Sequence, residues 1–148
     1  MGKFDAFTKK YTDAFNRRDV EAYGKLYAND AVVIDPFYPT PLVGRNAQKE
    51  DLGTFLRGFS DLRLEFVKVV ESNDGGAFEV RMTGTNDGPL TTPAGEMPPT
   101  GKRIDLRGAG FIRLSGDGLV LEEHRYYDSG VLMRQLGPTP EPAATATR

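Results

Sequence analysis

The sequence predicts an α+β domain, and two observations support that prediction. Apolar residues recur at helical spacing up to residue 59, and from residue 62 onward they alternate with a period of two. Clusters rich in Gly, Asp, Asn and Ser at 72–76 and 115–118 interrupt the alternating half and predict hairpin turns. Helices at one end of a chain and hairpin strands at the other make an α+β arrangement. With 148 residues, the chain has the length of one domain, which we expect at residues 1–137.

Three helices are predicted in the first half of the chain. Asn16 and the two arginines after it break the first helical pattern, and Asp19 then caps the second helix. The third helix begins near Asn46. The side chains expected to face the core are, helix by helix, Phe4, Phe7, Tyr11, Ala14 and Phe15; Val20, Tyr23, Leu26 and Tyr27; and Leu52, Phe55, Leu56 and Phe59.

Five strands and a closing helix complete the predicted domain. The first strand lies at 31–35, where a run of Ala, Val and Ile ends in Asp35 and a turn-rich stretch follows. The other four strands are expected at 62–70, 77–84, 102–114 and 119–127. The short closing helix places Val131, Leu132 and Leu136 on one side.

Two segments lie outside this regular pattern. Residues 85–101 contain several prolines and glycines with little periodicity, which predicts either a flexible loop or the rim of a pocket. Residues 138–148 are rich in Pro, Thr and Ala and have almost nothing to bury, which predicts a disordered tail.

Composition excludes several classes of partner and site. The 19 basic and 21 acidic residues are mixed along the chain and leave a net charge of -2, so neither nucleic acid nor an anionic membrane is an expected partner. No segment approaches the roughly 18 apolar residues of a membrane span and no signal peptide is recognisable, which predicts a cytoplasmic protein. Cysteine is absent and His124 is the single histidine, so we expect no metal centre and no cofactor.

The strongest functional signal is the carboxylate of Asp35 at the end of the 31–35 strand. A strand that carries Val33 and Ile34 into a core delivers this acid to a place where water is scarce, which is costly unless the charge is used. Burial makes an aspartate a better base, and the hydroxyl of Tyr11, on the buried face of the first helix, could stabilise an enolate. The plain alternatives are an Asx turn at Asp35 and a purely structural Tyr11.

The order of elements and four motifs resemble the SnoaL-like polyketide and ester cyclases of the nuclear transport factor 2-like superfamily. The motifs are GTNDG at 84–88, PTGK at 99–102, GDG at 116–118 and EEHRYYDSGVLMRQLG at 122–137. The resemblance implies a cone, a cystatin-like α+β barrel in which a strongly curved antiparallel sheet wraps three N-terminal helices around a pocket. It also implies a homodimer through the outer sheet face. Many relatives have histidine where Asn86 stands, so this residue could donate a hydrogen bond but not transfer a proton.

The front half also resembles the ketosteroid isomerases, through KYTDAFNRRD at 10–19 and AVVIDP at 31–36. In that family a helix tyrosine donates to the substrate oxyanion and an aspartate before proline removes a proton, roles that would fall on Tyr11 and Asp35. The isomerases also carry an aspartic acid on a later strand, and Gly110 stands at the matching position here. Loss of one oxyanion donor typically raises the barrier by about 3 kcal/mol, which argues against a true steroid isomerase.

Asp128 is the second acid candidate and, from the resemblance to the cyclases, the main catalytic residue. His124, Tyr126 and Asp128 share one parity on the last predicted strand, so all three would face the pocket together. The competing hypothesis gives the main role to Asp35, and the plain alternative makes Asp128 the N-cap of the closing helix. The residues expected to contact a polycyclic apolar ligand are Asn86, His124, Tyr126, Phe15, Tyr27, Phe55 and Phe59.

Three function classes stay open. An enzyme, acting by aldol-type cyclisation or by an isomerase-like proton shuttle, requires an apolar cavity of a few hundred Å³ with at least one inward acid. A binding module requires the same cavity with solvated or ion-paired acids, for which Arg113 and Arg125 are candidate partners. An interaction protein requires a filled cone and a large exposed apolar patch. Epoxide hydrolysis would need a water held between acids and an arginine, and no spacing in the sequence fixes such a trio.

Overall fold

The structure is a computed structural model that describes residues 2–137 and has the predicted α+β arrangement. The helices are α1 (Lys3–Asn16), α2 (Val20–Gly24), α3 (Arg45–Gly58) and α4 (Ser129–Leu136). The strands are β1 (Tyr27–Ile34), β2 (Leu42–Val43), β3 (Arg63–Ser72), β4 (Gly75–Thr85), β5 (Leu90–Thr92), β6 (Gly95–Met97), β7 (Arg103–Leu114) and β8 (Val120–Tyr126). None of the helices in this range is long and apolar enough to cross a membrane. The tail predicted at 138–148 lies outside the described residues.

Six strands form one curved, unclosed sheet in the order β2-β1-β8-β7-β4-β3. Neighbouring strands are antiparallel except β1 and β8, which run parallel. The register shifts between Phe66 and Lys68 on β3 and between Tyr27 and Val32 on β1, and such bulges bend a strand. Because α1 packs on β3 and α3 packs on β1, the helices cover the inner face of the curved sheet.

The aromatic face of α1 docks on this inner face. Phe4, Phe7, Tyr11 and Phe15 recur at helical spacing and are all buried, as the sequence predicts. Phe4 lies over Gly76 on β4, where the Cβ of any larger residue would come within 2.3 Å of the Phe4 ring. The close approach of α1 to the sheet therefore depends on a residue without a side chain.

Two local predictions are wrong. Helix α2 ends at Gly24, so Tyr27 does not lie on that helix but begins β1, where it is fully buried. Residues 85–101, expected to form an irregular loop or a pocket rim, contain the β5–β6 hairpin, and none of them lines the cavity described below. The buried side chain of Leu90 packs this hairpin against α3 beside Gly58.

The register of β8 decides which of its side chains reach the inside of the cone. Val120 pairs with Leu114 and Glu122 pairs with Arg113, so one extra residue lies between these pairs on β8. A shift of one residue exchanges the two faces of a strand. Val120 and Glu123 are therefore both buried although they are three positions apart.

Candidate active site

A cavity of about 110 Å³ lies between the helices and the inner face of the sheet. Tyr11 and Phe15 of α1, Phe55 of α3 and Phe66 of β3 contribute to an apolar wall, and acidic side chains and two arginines form its polar part. The cavity is smaller than the expected few hundred Å³. Since an engineered cavity of roughly 150 Å³ encloses benzene, the enclosed space here suits a single small ring or branch.

Arg125, on β8, is the centre of the polar part. All five of its N–H groups donate: Nη1 to carboxylates at 2.9 and 2.8 Å, Nε to a carboxylate at 2.8 Å, and Nη2 to two tyrosine hydroxyls at 3.2 and 3.3 Å. Burial lowers the pKa of Arg125, but the neighbouring Glu123 raises it, and the net result is a pKa well above its ordinary value. The guanidinium is therefore a fixed positive charge inside the cone.

Asp35 lies in the cavity wall with its side chain 6% exposed. Its Oδ2 accepts from Arg125 Nη1 at 2.9 Å, and its Oδ1 accepts from the Tyr127 hydroxyl at 2.7 Å. The same Oδ1 accepts from the backbone N–H of Phe37 at 2.8 Å, which is an Asx turn. The two alternatives for Asp35 are therefore not exclusive, because the turn and the pocket use the same carboxylate.

Asp51, on α3, is the second acid of the cavity wall. Its Oδ2 accepts from Arg125 Nη1 at 2.8 Å, and its Oδ1 accepts from the Tyr38 hydroxyl at 2.6 Å. Burial raises the pKa of Asp51, Arg125 opposes that effect, and the nearby Asp35 adds to it. The net rise favours a protonated Asp51 over a wider pH range than usual.

Glu123 is the third acid and is 2% exposed. Its Oε2 accepts from Arg125 Nε at 2.8 Å, and its Oε1 accepts from the Tyr27 hydroxyl at 2.9 Å. A chain of hydroxyls continues from there, with Tyr27 and Tyr23 3.1 Å apart and Tyr23 and Tyr11 3.0 Å apart. The chain connects the acid cluster to the aromatic part of the cavity.

Tyr11 contributes to the cavity wall as well as to this chain. Burial, the neighbouring Tyr23 and the charge of Glu123 raise the pKa of Tyr11 well above its ordinary value. Burial likewise raises the pKa of Tyr23 to about 12. Both hydroxyls therefore keep their protons, and Tyr11 has the protonation state that a donor to substrate needs.

Three carboxylates surround one guanidinium in this cluster. If Asp35, Asp51 and Glu123 were all ionised, two negative charges would be left without a positive partner inside a poorly solvated site. No group of His, Cys, Asp or Glu in residues 2–137 has an arrangement that could hold a metal ion. The excess of negative charge disfavours full ionisation of the cluster, and burial raises the pKa of Asp51.

The expected inward position of Asp128 is wrong. Its side chain is 67% exposed, lies outside the cavity wall and accepts from the backbone N–H of Gly130 at 2.8 Å as the N-cap of α4. Arg134 lies 3.9 Å from it at the surface. Asp128 therefore has the position of the plain alternative, a helix cap.

His124 and Tyr126 share one face of β8 as predicted, but it is the outer face, because the extra residue in β8 reverses its faces; Asp128 lies beyond the end of the strand. His124 lies outside, where its Nε2 is 2.8 Å from Glu122 and its ring stacks on Phe111 with centroids 4.5 Å apart. Tyr126 is 58% exposed and reaches only the mouth of the cavity. The inward residues are Glu123, Arg125 and Tyr127.

Asn86 is also placed differently from expectation. It is 1% exposed, and its Nδ2 donates to the carbonyl oxygens of Gly58 and Gly88 at 3.0 and 2.9 Å. Its Oδ1 accepts from the backbone N–H and the hydroxyl of Thr100 at 2.8 and 2.9 Å. All of these bonds fix the base of the β5–β6 hairpin, and Asn86 does not line the cavity.

The four aromatic candidates divide between the cavity and its surroundings. Phe15 and Phe55 line the cavity as predicted. Phe59 lies behind the wall, fully buried and stacked on Phe55. Tyr27 does not line the cavity but supports it through its bond to Glu123.

Gly110 marks the place where an isomerase would carry its third catalytic group. Phe78 occupies the adjacent space, so that a Cβ at position 110 would lie 2.7 Å from Phe78 Cζ and 2.2 Å from the carbonyl oxygen of His124. No aspartic acid fits there without displacement of the backbone. The sequence predicts that the third oxyanion donor is missing, and the packing of Phe78 against Gly110 also leaves no room for it.

Sequence reasoning missed Asp51 and Glu123 as site residues and treated Arg125 only as a candidate partner for an acid. Asp51 carried a usable signal, since it precedes Leu52 and lies four positions before Phe55 on the buried face of α3. Glu123 carried none, because the bulge that turns it inward is not visible in the alternation of β8.

Residues 8–123 match the family model described as SnoaL-like domain. No curated protein matches the chain.

Several solved structures share the fold. A candidate SnoaL-like polyketide cyclase from Jannaschia sp. CCS1 is 20% identical, with 93% of this chain and 94% of that chain covered at a TM-score of 0.77. A hypothetical protein from Catenulispora acidiphila DSM 44928 with a ketosteroid isomerase-like fold, in complex with trimethylamine, is 17% identical. The match covers 88% of this chain and 92% of that chain at a TM-score of 0.72. SalBIII, an epoxide hydrolase/cyclase-like enzyme with a role in pyran ring formation in the polyether salinomycin, is 17% identical. The match covers 86% of this chain and 92% of that chain at a TM-score of 0.71.

Proposed function

This chain belongs to the SnoaL-like domain family, and from that premise we propose that it is an acid–base cyclase that closes a ring in a polyketide-like substrate. Asp35 and Asp51 are the proposed catalytic residues. The observation that supports the proposal best is that one nitrogen, Nη1 of Arg125, holds both carboxylates at 2.9 and 2.8 Å in the wall of the same cavity. Ring closure needs one group that removes a proton and another that supplies one, and a paired acid and carboxylate provide both.

We assign the acid role to Asp51, whose pKa is raised by burial and by the nearby Asp35, and the role of proton acceptor to Asp35 in the same cavity wall. In an aldol closure, Asp35 takes a proton from a carbon between two carbonyl groups, and that carbon bonds to a third carbonyl carbon of the same molecule. Asp51 gives its proton to the oxygen of that carbonyl, which becomes a hydroxyl. Substrate and product are isomers, and exchange with water returns both acids to their starting states.

Tyr11 is the proposed support for negative charge at the aromatic side of the cavity. Its hydroxyl is protonated and oriented by Tyr23, and a neutral hydroxyl can donate to an enolate oxygen. The isomerase-like alternative uses the same Tyr11 and Asp35. It is less favoured, because Phe78 fills the space where the third isomerase group would lie.

We expect the substrate to place one ring or branch in the enclosed cavity rather than a complete polycyclic body. The protein is also expected to act as a homodimer through the outer sheet face. There the rings of Phe111 and His124 stack on each other, and Phe111 is 46% exposed. Exposed aromatic groups of this kind are typical of interface centres.

Proton abstraction can be tested without the natural substrate. Phenylacetone has one ring and a methylene activated by a phenyl group and a carbonyl, and exchange of that methylene into D2O is followed by NMR. We expect the wild-type protein to accelerate the exchange over buffer. Loss of a positioned acid or base typically costs about 10²–10⁴-fold, so D35N and D51N should lose most of the acceleration.

D128N is the matched control, because Asp128 is an exposed helix cap of the same residue type. It should retain the wild-type exchange rate. Wild-type acceleration that persists in both D35N and D51N would show that the cavity aspartates do not transfer the proton. Loss of exchange in D128N alone would restore the main role to that residue.

Binding without turnover is the second candidate function. It is favoured by the observation that every carboxylate oxygen of the cluster already accepts a hydrogen bond within the protein. On this alternative the wild-type protein binds phenylacetone, which would change the amide chemical shifts of residues in the cavity wall. The methylene protons of phenylacetone would nevertheless exchange at the rate seen in buffer alone.

A further inference from the structure

A second recess, of about 270 Å³, lies on the outer side of the sheet beside the cavity mouth. It is lined by Glu79, Val80, Arg107, Gly108, Ala109 and Tyr126, and all of these except Glu79 also line the inner cavity. The two spaces therefore adjoin along β7. Gly108 lines both spaces, and because it has no side chain it places little bulk between them.

Arg107 is the cation of this recess. It is exposed, and its side chain makes no hydrogen bond or ion pair within residues 2–137. Its charge acts on Asp105, whose pKa is lowered by Arg81 first and then by Arg103 and Arg107. Asp105 is already held by Arg81 through bonds of 2.9 and 2.6 Å. The guanidinium N–H groups of Arg107 are consequently available to bind a ligand anion at the edge of the cavity.

The inner end of the cavity and the recess differ in the hydrogen-bond donors that they offer to an anion. The inner end carries three carboxylates and one guanidinium, so it repels an anion even when Asp51 keeps its proton. All five N–H groups of Arg125 are already in use, whereas the guanidinium of Arg107 has donors left for a carboxylate. Glu79 lines the same recess and its negative charge opposes that of Arg107, so the recess selects a carboxylate through the N–H donors of Arg107 and not through net charge.

We propose that the ligand of this site is an amphipathic carboxylic acid: its apolar end enters the cavity and its carboxylate binds Arg107 in the outer recess. The proposal rests on the proposed function in one respect, that the cavity is the substrate site, and it adds the substrate class. Arg107 is a binding and orienting residue that fixes which end of the molecule reaches Asp35 and Asp51. It takes no part in proton transfer.

Three probes with the same body separate the alternatives. Phenylpropionate, phenylpropanamide and phenylpropylammonium share one ring and one chain length and differ in charge at the far end. Titration of the full-length protein at neutral pH, followed by amide chemical shifts of β7 and the cavity wall, gives a Kd for each. An exposed charge-assisted contact supports a roughly threefold to tenfold preference for the propionate over the amide.

The variants locate the preference. R107Q should reduce the affinity for the propionate to that for the amide, and E79Q should raise it about twofold by removing a repelling charge. R103Q is the matched control, because Arg103 lies on the same strand, is also exposed and flanks Asp105 from the other side, yet lines neither space. It should leave all three affinities unchanged.

The proposal is overturned if the amide binds as tightly as the propionate, if the ammonium probe binds most tightly, or if R103Q has the same effect as R107Q. These measurements use binding alone. A protein that prefers the propionate but fails to exchange phenylacetone contradicts the cyclase and leaves the anion site standing. A protein that exchanges phenylacetone but shows no preference for the propionate contradicts the anion site and leaves the proposed cyclase activity intact.

Discussion

Replacement of Arg125 by methionine should destabilise the protein strongly, and in a manner that depends on pH. The guanidinium is the only cation among three buried carboxylates in the described cluster, whose side chains are 6%, 7% and 2% exposed. Removal of one partner from a buried ion pair typically costs about 3–5 kcal/mol, because the charge left behind is uncompensated. For a domain of this size, each kcal/mol lowers Tm by roughly 2–4 °C, so R125M should melt about 6–20 °C lower at neutral pH.

The pH dependence distinguishes charge from packing. Without Arg125, burial and mutual repulsion raise the pKa of the acids in the folded state above their values in the unfolded chain. The folded variant then binds more protons than the unfolded one, and its free energy of unfolding falls as pH rises, by up to about 1.4 kcal/mol per pH unit for each extra proton. Relative to wild type, R125M should therefore recover much of its loss at about pH 5 and lose most at about pH 8.

Urea unfolding at both pH values measures the effect directly. R113M is the control, because Arg113 pairs with Glu122 at the surface and has its side chain 50% exposed. Its unfolding midpoint should stay close to that of wild type at both pH values. A loss in R125M that matches R113M, or one that does not change between the two pH values, would refute the argument that the guanidinium compensates buried charge.

Three further predictions follow from the same contacts. The pKa of Asp51 is raised in the folded protein, so the contribution of this residue to stability is present at low pH and is lost as pH rises through that pKa. The free energy of unfolding of wild type, measured in urea relative to D51N, should therefore fall as pH rises through this range. N86A leaves buried backbone groups at the hairpin base without partners and should cost about 2–4 kcal/mol, whereas N73A in the exposed β3–β4 turn should cost little. F111E should convert the expected homodimer into a monomer in light scattering, while V70E, at a residue 57% exposed on β3, should not; a dimer that survives F111E contradicts the proposed interface.

The sequence predicted the fold class because its two periodicities are properties of local stretches of chain. Phe4, Phe7, Tyr11 and Phe15 form the buried face of α1 as the helical spacing indicated, and Asp19 caps α2. Asp35 was identified as a pocket acid from the apolar run that precedes it, and it lies in the cavity wall. Tyr27 was misplaced, since its spacing continues that of α2 although the helix ends at Gly24.

The error at Asp128 has a different origin. Alternation shows that His124, Tyr126 and Asp128 share a face, but it does not show which face, and a single extra residue in β8 decides that. The motif at 122–137 therefore directed attention to the outward residues. The inward residues of the same stretch, Glu123 and Arg125, form the centre of the candidate site.

The amino-acid sequence by itself determined the succession of the longer helices and strands, the buried aromatic faces and the presence of an acid directly after β1, because each depends on residues close together in the chain. It did not predict the short strands β2, β5 and β6. Only the tertiary structure decided that Asp35, Asp51 and Glu123 meet on one guanidinium, since these acids come from the residue after β1, from α3 and from β8. Their ion pairs span 90 and 74 residues of sequence in two cases. Separations of that kind are set by the curvature of the sheet and the register of its strands, which no local pattern records.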